Sequence, residues 1–150
     1  MILISHRGNI DGPNPSKENT AEYIDSAIDS GYDVEIDFWC TDSGLFLGHD
    51  HPLTKIDLGW LTSRKDRLWI HCKNISGLFF IKNIEANLNF FWHQNDDVTL
   101  TSSGFFWTFP NRQLTPNSIA CLPELSDYDN LNNCFGICSD YVLNYQNLRN

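Results

Sequence analysis

The sequence predicts an α/β fold: a compact TIM-type parallel β/α barrel with several outer helices missing in its second half. Three observations carry that expectation. Apolar runs alternate with helical spacing from residue 1 to about residue 93. Polar or charged residues stand at the end of each of the first three runs. From Val98 onward, short strands follow one another with almost no helix between them.

Met1 to Ser5 is a short apolar run suited to a buried strand, and it ends in His6-Arg7-Gly8. Asn9 to Pro15, rich in Gly, Pro and Asn, reads as a loop. Glu18-Asn19-Thr20 opens a helix capped by Asn19 or Thr20. Ala21, Ile24, Ala27 and Ile28 then recur at helical spacing until Gly31 stops it. Val34 to Phe38 is a second strand, carried by β-branched and aromatic residues. Strand, helix and strand in this order make the two strands parallel. Leu45 to Gly48 leads into a loop at His49-Asp50-His51-Pro52, and Leu53 to Asp66 is a polar connection with one helical turn around Leu58 to Leu61. A third strand is expected over Leu68 to Lys73, a helix over Ser76 to Ala86 and a fourth strand over Asn89 to His93. Val98 to Leu100, Gly104 to Phe109, Ile119 to Leu122 and Phe135 to Cys138 are the later strands, with helices at Glu124 to Leu131 and Tyr141 to Leu148. Strand backs without helices leave apolar surface to be covered by aromatic loops or by a second copy in a homodimer.

A length of 150 residues suits one domain spanning 1–150. A net charge of -9 argues against nucleic acid as a partner, because affinity for a phosphate backbone needs clustered Lys and Arg. No apolar run approaches a membrane span, and nothing before the first strand resembles a signal peptide. A cytoplasmic protein without membrane insertion is therefore expected. The five cysteines are odd in number and lack paired spacing, which fits reduced thiols.

Chemistry concentrates where the strands end. Alternation along a strand puts Glu35 and Asp37 on one face, about 7 Å apart, where they repel each other unless a cation lies between them. His6 and Arg7 leave the first strand, and His71 and Lys73 leave the third. In a parallel barrel these ends share one rim.

Five pieces in order, Ser5-His6-Arg7-Gly8, Glu18-Asn19-Thr20, Val34-Glu35-Ile36-Asp37, Thr41-Asp42-Ser43-Gly44 and Gly48-His49-Asp50, resemble the glycerophosphodiester phosphodiesterases, within the phospholipase C-like phosphodiesterase TIM barrels. The resemblance is firm over residues 2 to 50 and thin from 68 to 73. Further on it touches Gly136-Ile137-Cys138-Ser139-Asp140, similar to the family's last strand. It implies metal-dependent hydrolysis of a small phosphodiester substrate, most simply a glycerophosphodiester to glycerol 3-phosphate plus alcohol. A sphingomyelinase D-like phospholipase is the alternative within that class. A non-catalytic barrel binding a phosphorylated sugar or nucleotide is the rival outside it.

By the same resemblance His6 and His49 are the catalytic pair, His6 on the attacking side as base and His49 protonating the leaving oxygen, a task suited to imidazole. Glu35 and Asp37 match metal ligands, whose hard oxygens suit Mg2+ or Ca2+. Arg7 and Lys73 address the phosphate, and Asn19, His93 and Trp107 complete the substrate-binding set. One departure stands out: the family's Glu-x-Lys on the third strand is replaced by His71-Cys72-Lys73. As third ligand, His71 is softer than a carboxylate and opens the site to Mn2+ or Zn2+; as a hydrogen-bond donor to phosphate it needs no metal. Asp96, Glu124 and Asp140, also near strand ends, read as structural, and the runs Phe90-Phe91-Trp92 and Phe105-Phe106-Trp107 as core.

Overall fold

A computed structural model describes residues 1–149. The chain runs β1 (Ile2–His6), α1 (Ala21–Asp29), β2 (Asp33–Thr41), β3 (Gly44–Leu47), β4 (Thr54–Ile56), α2 (Leu58–Ser63), β5 (Leu68–Cys72), α3 (Ile75–Asn83), β6 (Phe90–Trp92), β7 (Val98–Leu100), β8 (Phe106–Thr108), β9 (Ser118–Cys121) and β10 (Gly136–Ser139). These strands form one ten-stranded mixed sheet, curled into a half-barrel with few helices. The expected TIM-type barrel with outer helices is thereby corrected.

Strands β6, β5, β2, β1, β10, β9 and β8 are neighbours in that order and all parallel. Two antiparallel additions break the barrel pattern. The second half of β2 folds back through β3 and β4, and β7 returns against β8. The reason is chain length. A parallel crossover takes a dozen or more residues, whereas residues 93–97 and 101–105 are all that flank β7. Across the open side, Ser102 N–H donates to the Phe90 carbonyl (2.8 Å) and Thr99 Oγ1 to the Trp92 carbonyl (2.8 Å), so the β7 segment touches β6 without extending the ladder.

The late helices also differ from expectation. Glu124 to Leu131 gives only a 3-10 turn at Pro123–Leu125 followed by irregular chain. The C-terminal helix is a 3-10 segment over Val142–Leu148. Outside the sheet, α1 and α3 bury the outward residues of β2 and β5: Ile24, Ala27 and Ile81 pack with Val34, Ile36, Phe38 and Ile70. Inside the curl, Ile4, Trp69, Phe91, Trp107, Ile119, Cys121 and Cys138 fill the floor. Over the stripped half, Val98, Leu100 and Phe106 stay exposed on the strand backs. All five cysteines are free. Among the described residues no helix is long and apolar enough to cross a membrane.

Candidate functional site

Period-two alternation fixes which side chains look into the curl. Parallel pairing sets Asp37 opposite His71 and Glu35 opposite Trp69 on β5, and His6 opposite Glu35 on β1. His6, Glu35, Asp37 and His71 therefore leave their strands on the same face. The result is a cleft of about 280 Å³ lined by His6, Arg7, Glu35, His49, His71, Lys73, His93 and Trp107, among others. Four of the five histidines of the chain line it. Asn19 is placed differently. It is buried behind Asp37, with its Nδ2 donating to Asp37 Oδ2 (2.9 Å) and its Oδ1 accepting from the Asp37 backbone N–H (3.0 Å). Its amide thus orients a carboxylate instead of lining the cleft.

Asp37 is fully buried and heavily compensated. Arg7 Nε lies 3.0 Å from Oδ2, while Lys73 Nζ (3.3 Å) and His71 Nδ1 (3.2 Å) face Oδ1. Burial alone would push its pKa up, but His71, Arg7 and Lys73 reverse the effect and hold the carboxyl well below the usual carboxylate range. Arg7 reaches this carboxylate from a left-handed backbone (φ 54), pinned by its N–H to the Glu35 carbonyl (3.0 Å) and by its own carbonyl to Asn19 N–H (3.1 Å).

Glu35 is the opposite case. Its nearest basic neighbours are more distant: His71 Nδ1 at 3.8 Å from Oε1 and His6 Nε2 at 3.9 Å from Oε2. Burial, with Asp37 next, raises its pKa. Two buried carboxylate oxygens in the cluster, Glu35 Oε2 and Asp37 Oδ1, have no hydrogen-bond partner. Oxygens left so are expensive to bury without a counter-charge. One ligand atom each from Glu35, Asp37 and His71 falls within 4.8 Å of the others, so the donor set fits a bound cation.

The two histidines of the expected catalytic pair are biased in opposite directions. Burial works against charge on His6, but the hydrogen bond from its Nδ1 to Asp140 Oδ1 (2.7 Å), together with Glu35, raises its pKa to about 9. His49 stands at the exposed rim with Nδ1 2.7 Å from Asp50 Oδ1. Partial burial and then Arg7 lower its pKa. The loop that presents it turns at Gly48 (φ +148), where a Cβ would overlap the His51 carbonyl oxygen. Gly48→Ala is expected to cost more than about 1 kcal/mol, since alanine resists this backbone region. A fall in the urea midpoint measures that cost.

His93 is buried, and neither of its ring nitrogens has a hydrogen-bond partner. Its ring packs 4.6 Å from Phe109, and burial, then His71, lowers its pKa. Trp107 stacks on Phe91 at 4.5 Å and forms an apolar wall. Three side chains carry more than their sequence context indicates. Asp140 orients His6; Asn9, fully buried, donates to both Asp140 (2.8 Å) and Glu18 (2.9 Å); Glu124 receives the Asp140 N–H (3.0 Å). An Asp directly after an apolar strand is the only local signal for the first of them. Asp96 is exposed, 3.8 Å from His93.

No family model, curated protein or solved structure matches this chain.

Proposed function

We propose that the cleft hydrolyses a small phosphodiester, a glycerophosphodiester being the simplest, with a divalent cation held by Glu35, Asp37 and His71. The observation that supports this most is the convergence on one cleft of two histidines, two fixed cations and a carboxylate pair in which Glu35 has no close counter-charge. When bound, the cation would supply charge stabilisation at a phosphoryl oxygen. Arg7 and Lys73, oriented by Asp37, present positive charge to the same group. His6, held by Asp140, and His49, at the rim, both line the cleft, and on this reading one hydrogen-bonds the attacking hydroxyl and the other the leaving oxygen. As the groups stand, His6 holds its proton more tightly than His49, the reverse of the base and acid roles that the resemblance implies. Glu35 neutralised by a cation would lose part of its pull on that proton. A cleft of about 280 Å³ suits a polar headgroup better than an acyl chain.

The test is an assay of bis(p-nitrophenyl) phosphate and glycerophosphodiesters with Mg2+, Ca2+, Mn2+ and Zn2+ and with chelator. Turnover is expected with metal, with a loss of at least about 100-fold on chelation, in line with removal of charge stabilisation at the reacting group. Product analysis separates glycerol 3-phosphate from a cyclic phosphate, which would indicate the phospholipase alternative. Binding of a phosphorylated sugar or nucleotide without turnover of any diester would point to the non-catalytic rival.

A further inference from the structure

We propose that His71 turns this cluster into a zinc-class site, selective for Zn2+ and its spectroscopic surrogate Co2+ over Mg2+ and Ca2+. The inference rests on the reading of Glu35, Asp37 and His71 as a cation site, and it is independent of which diester is cleaved. The imidazole is fixed from two directions. Its ring lies parallel to Phe91 (5.2 Å between centroids, 8° between planes), and its Nε2 is 2.8 Å from the His93 carbonyl oxygen. A carbonyl only accepts, so Nε2 carries the hydrogen. The other ring nitrogen, Nδ1, is thereby directed at Asp37 Oδ1 (3.2 Å) and Glu35 Oε1 (3.8 Å). One ligand atom from each of the three residues lies within 4.8 Å of the others, close enough for a single cation to join them. A ligating histidine whose other nitrogen bonds a backbone carbonyl has the tautomer that a metal requires.

The buried carboxylate oxygens sharpen the case. Glu35 is 3% exposed in its side chain and Asp37 0%; among the described residues Glu35 Oε2 accepts no hydrogen bond, and Asp37 Oδ1 has only its ion pairs with Lys73 and His71. Two carboxylates supply at most four of the six to eight oxygens that Ca2+ takes, so its shell here would rest largely on water and one nitrogen. Mg2+ also prefers oxygen and gains least from nitrogen. Three protein ligands with an open position describe a catalytic zinc site, and imidazole is a favoured zinc ligand. Most nitrogen and oxygen sites rank zinc above magnesium, so the informative quantity is how much of the preference depends on His71.

The experiment dialyses the protein against equimolar Zn2+, Mn2+, Mg2+ and Ca2+ and counts retained metal, alongside titrations of each ion alone. About one zinc per chain is expected, with Co2+ giving visible d–d bands and no thiolate charge-transfer band. His71→Glu should weaken Zn2+ by about tenfold or more and strengthen Mg2+ and Ca2+, so that the ratio collapses. Preference for Mg2+ or Ca2+ in the native protein, a thiolate band, or a ratio unchanged by His71→Glu overturns the proposal. Should His71→Glu fail to fold, the competition and the Co2+ spectrum of the native protein decide alone. Zinc held without turnover of any diester retires the hydrolase reading and leaves this one standing. Turnover with no metal retained overturns this inference and leaves phosphodiester hydrolysis without its cation.

Discussion

Asp37→Ala is expected to lower stability by about 3 to 5 kcal/mol, the cost of breaking a buried ion pair from one side. The carboxylate has no solvent exposure and is approached by Arg7, Lys73 and His71, while Asn19 is committed to it through both ends of its amide. Deleting it leaves Arg7 and Lys73, both mostly buried, with their nearest counter-charge gone. Against a total of about 5 to 15 kcal/mol for a domain, that loss is a third or more in most cases. Asp37→Asn keeps the volume and one acceptor for Asn19 but removes the charge, so an intermediate cost of about 1 to 3 kcal/mol is expected. Urea unfolding followed by tryptophan fluorescence measures both. Adding Lys73→Met to Asp37→Ala should recover part of the loss, because the cost lies in the stranded cation. A change under about 1 kcal/mol for Asp37→Ala would mean that the neighbouring groups hydrate freely, and the account of a dry, charge-balanced cluster would be wrong.

What the sequence made legible depended on range. Glu35 and Asp37 share a face because of a two-residue period, and His71 and Lys73 follow the same rule one strand away. The pairing of Asp37 with His71 then needs only that β2 and β5 be parallel. The hydrogen bond between His6 and Asp140 was not legible in this way, since it joins residues 134 apart and exists because β10 returns beside β1. Asn19 read as a helix cap and as a substrate contact, yet its left-handed backbone (φ 58) turns the amide back onto Asp37, a placement that no local propensity encodes.

The fold was overdrawn for a related reason. Parallel strands were inferred from helices between them, a rule that held as far as β6. The connections on either side of β7 are too short to cross the sheet, so β7 returns antiparallel against β8, and parallel pairing resumes from β8 to β10. The β2–β3 hairpin is a second departure from the expectation, although Thr41-Asp42-Ser43-Gly44 between two apolar runs is a turn signal. The first departure is of strand direction and the second of strands where the sequence reads as loop. They leave the cleft intact because the strands carrying His6, Glu35, Asp37 and His71 all belong to the parallel part.

His6→Ala should reduce kcat by about 10² to 10⁴ with little change in KM, the range for losing a positioned proton-transfer group. His6 Nδ1 is committed to Asp140 at 2.7 Å, which directs Nε2 toward Glu35 and the cleft, so the proton that moves is carried on a nitrogen whose direction is fixed. Asp140 acts through His6, and Asp140→Asn is expected to lower kcat less, by about tenfold to a hundredfold, as outer-shell partners do. The decisive measurement is the double-mutant cycle. If Asp140 only orients His6, adding Asp140→Asn to His6→Ala changes kcat no further, and the two losses are far from additive. Zinc affinity in His6→Ala reports separately on the cluster, because Glu35, Asp37 and His71 are untouched. Full turnover in His6→Ala would remove His6 from the chemistry and shift attention to His49 and His93, whereas additive losses in the cycle would show that Asp140 acts other than through His6.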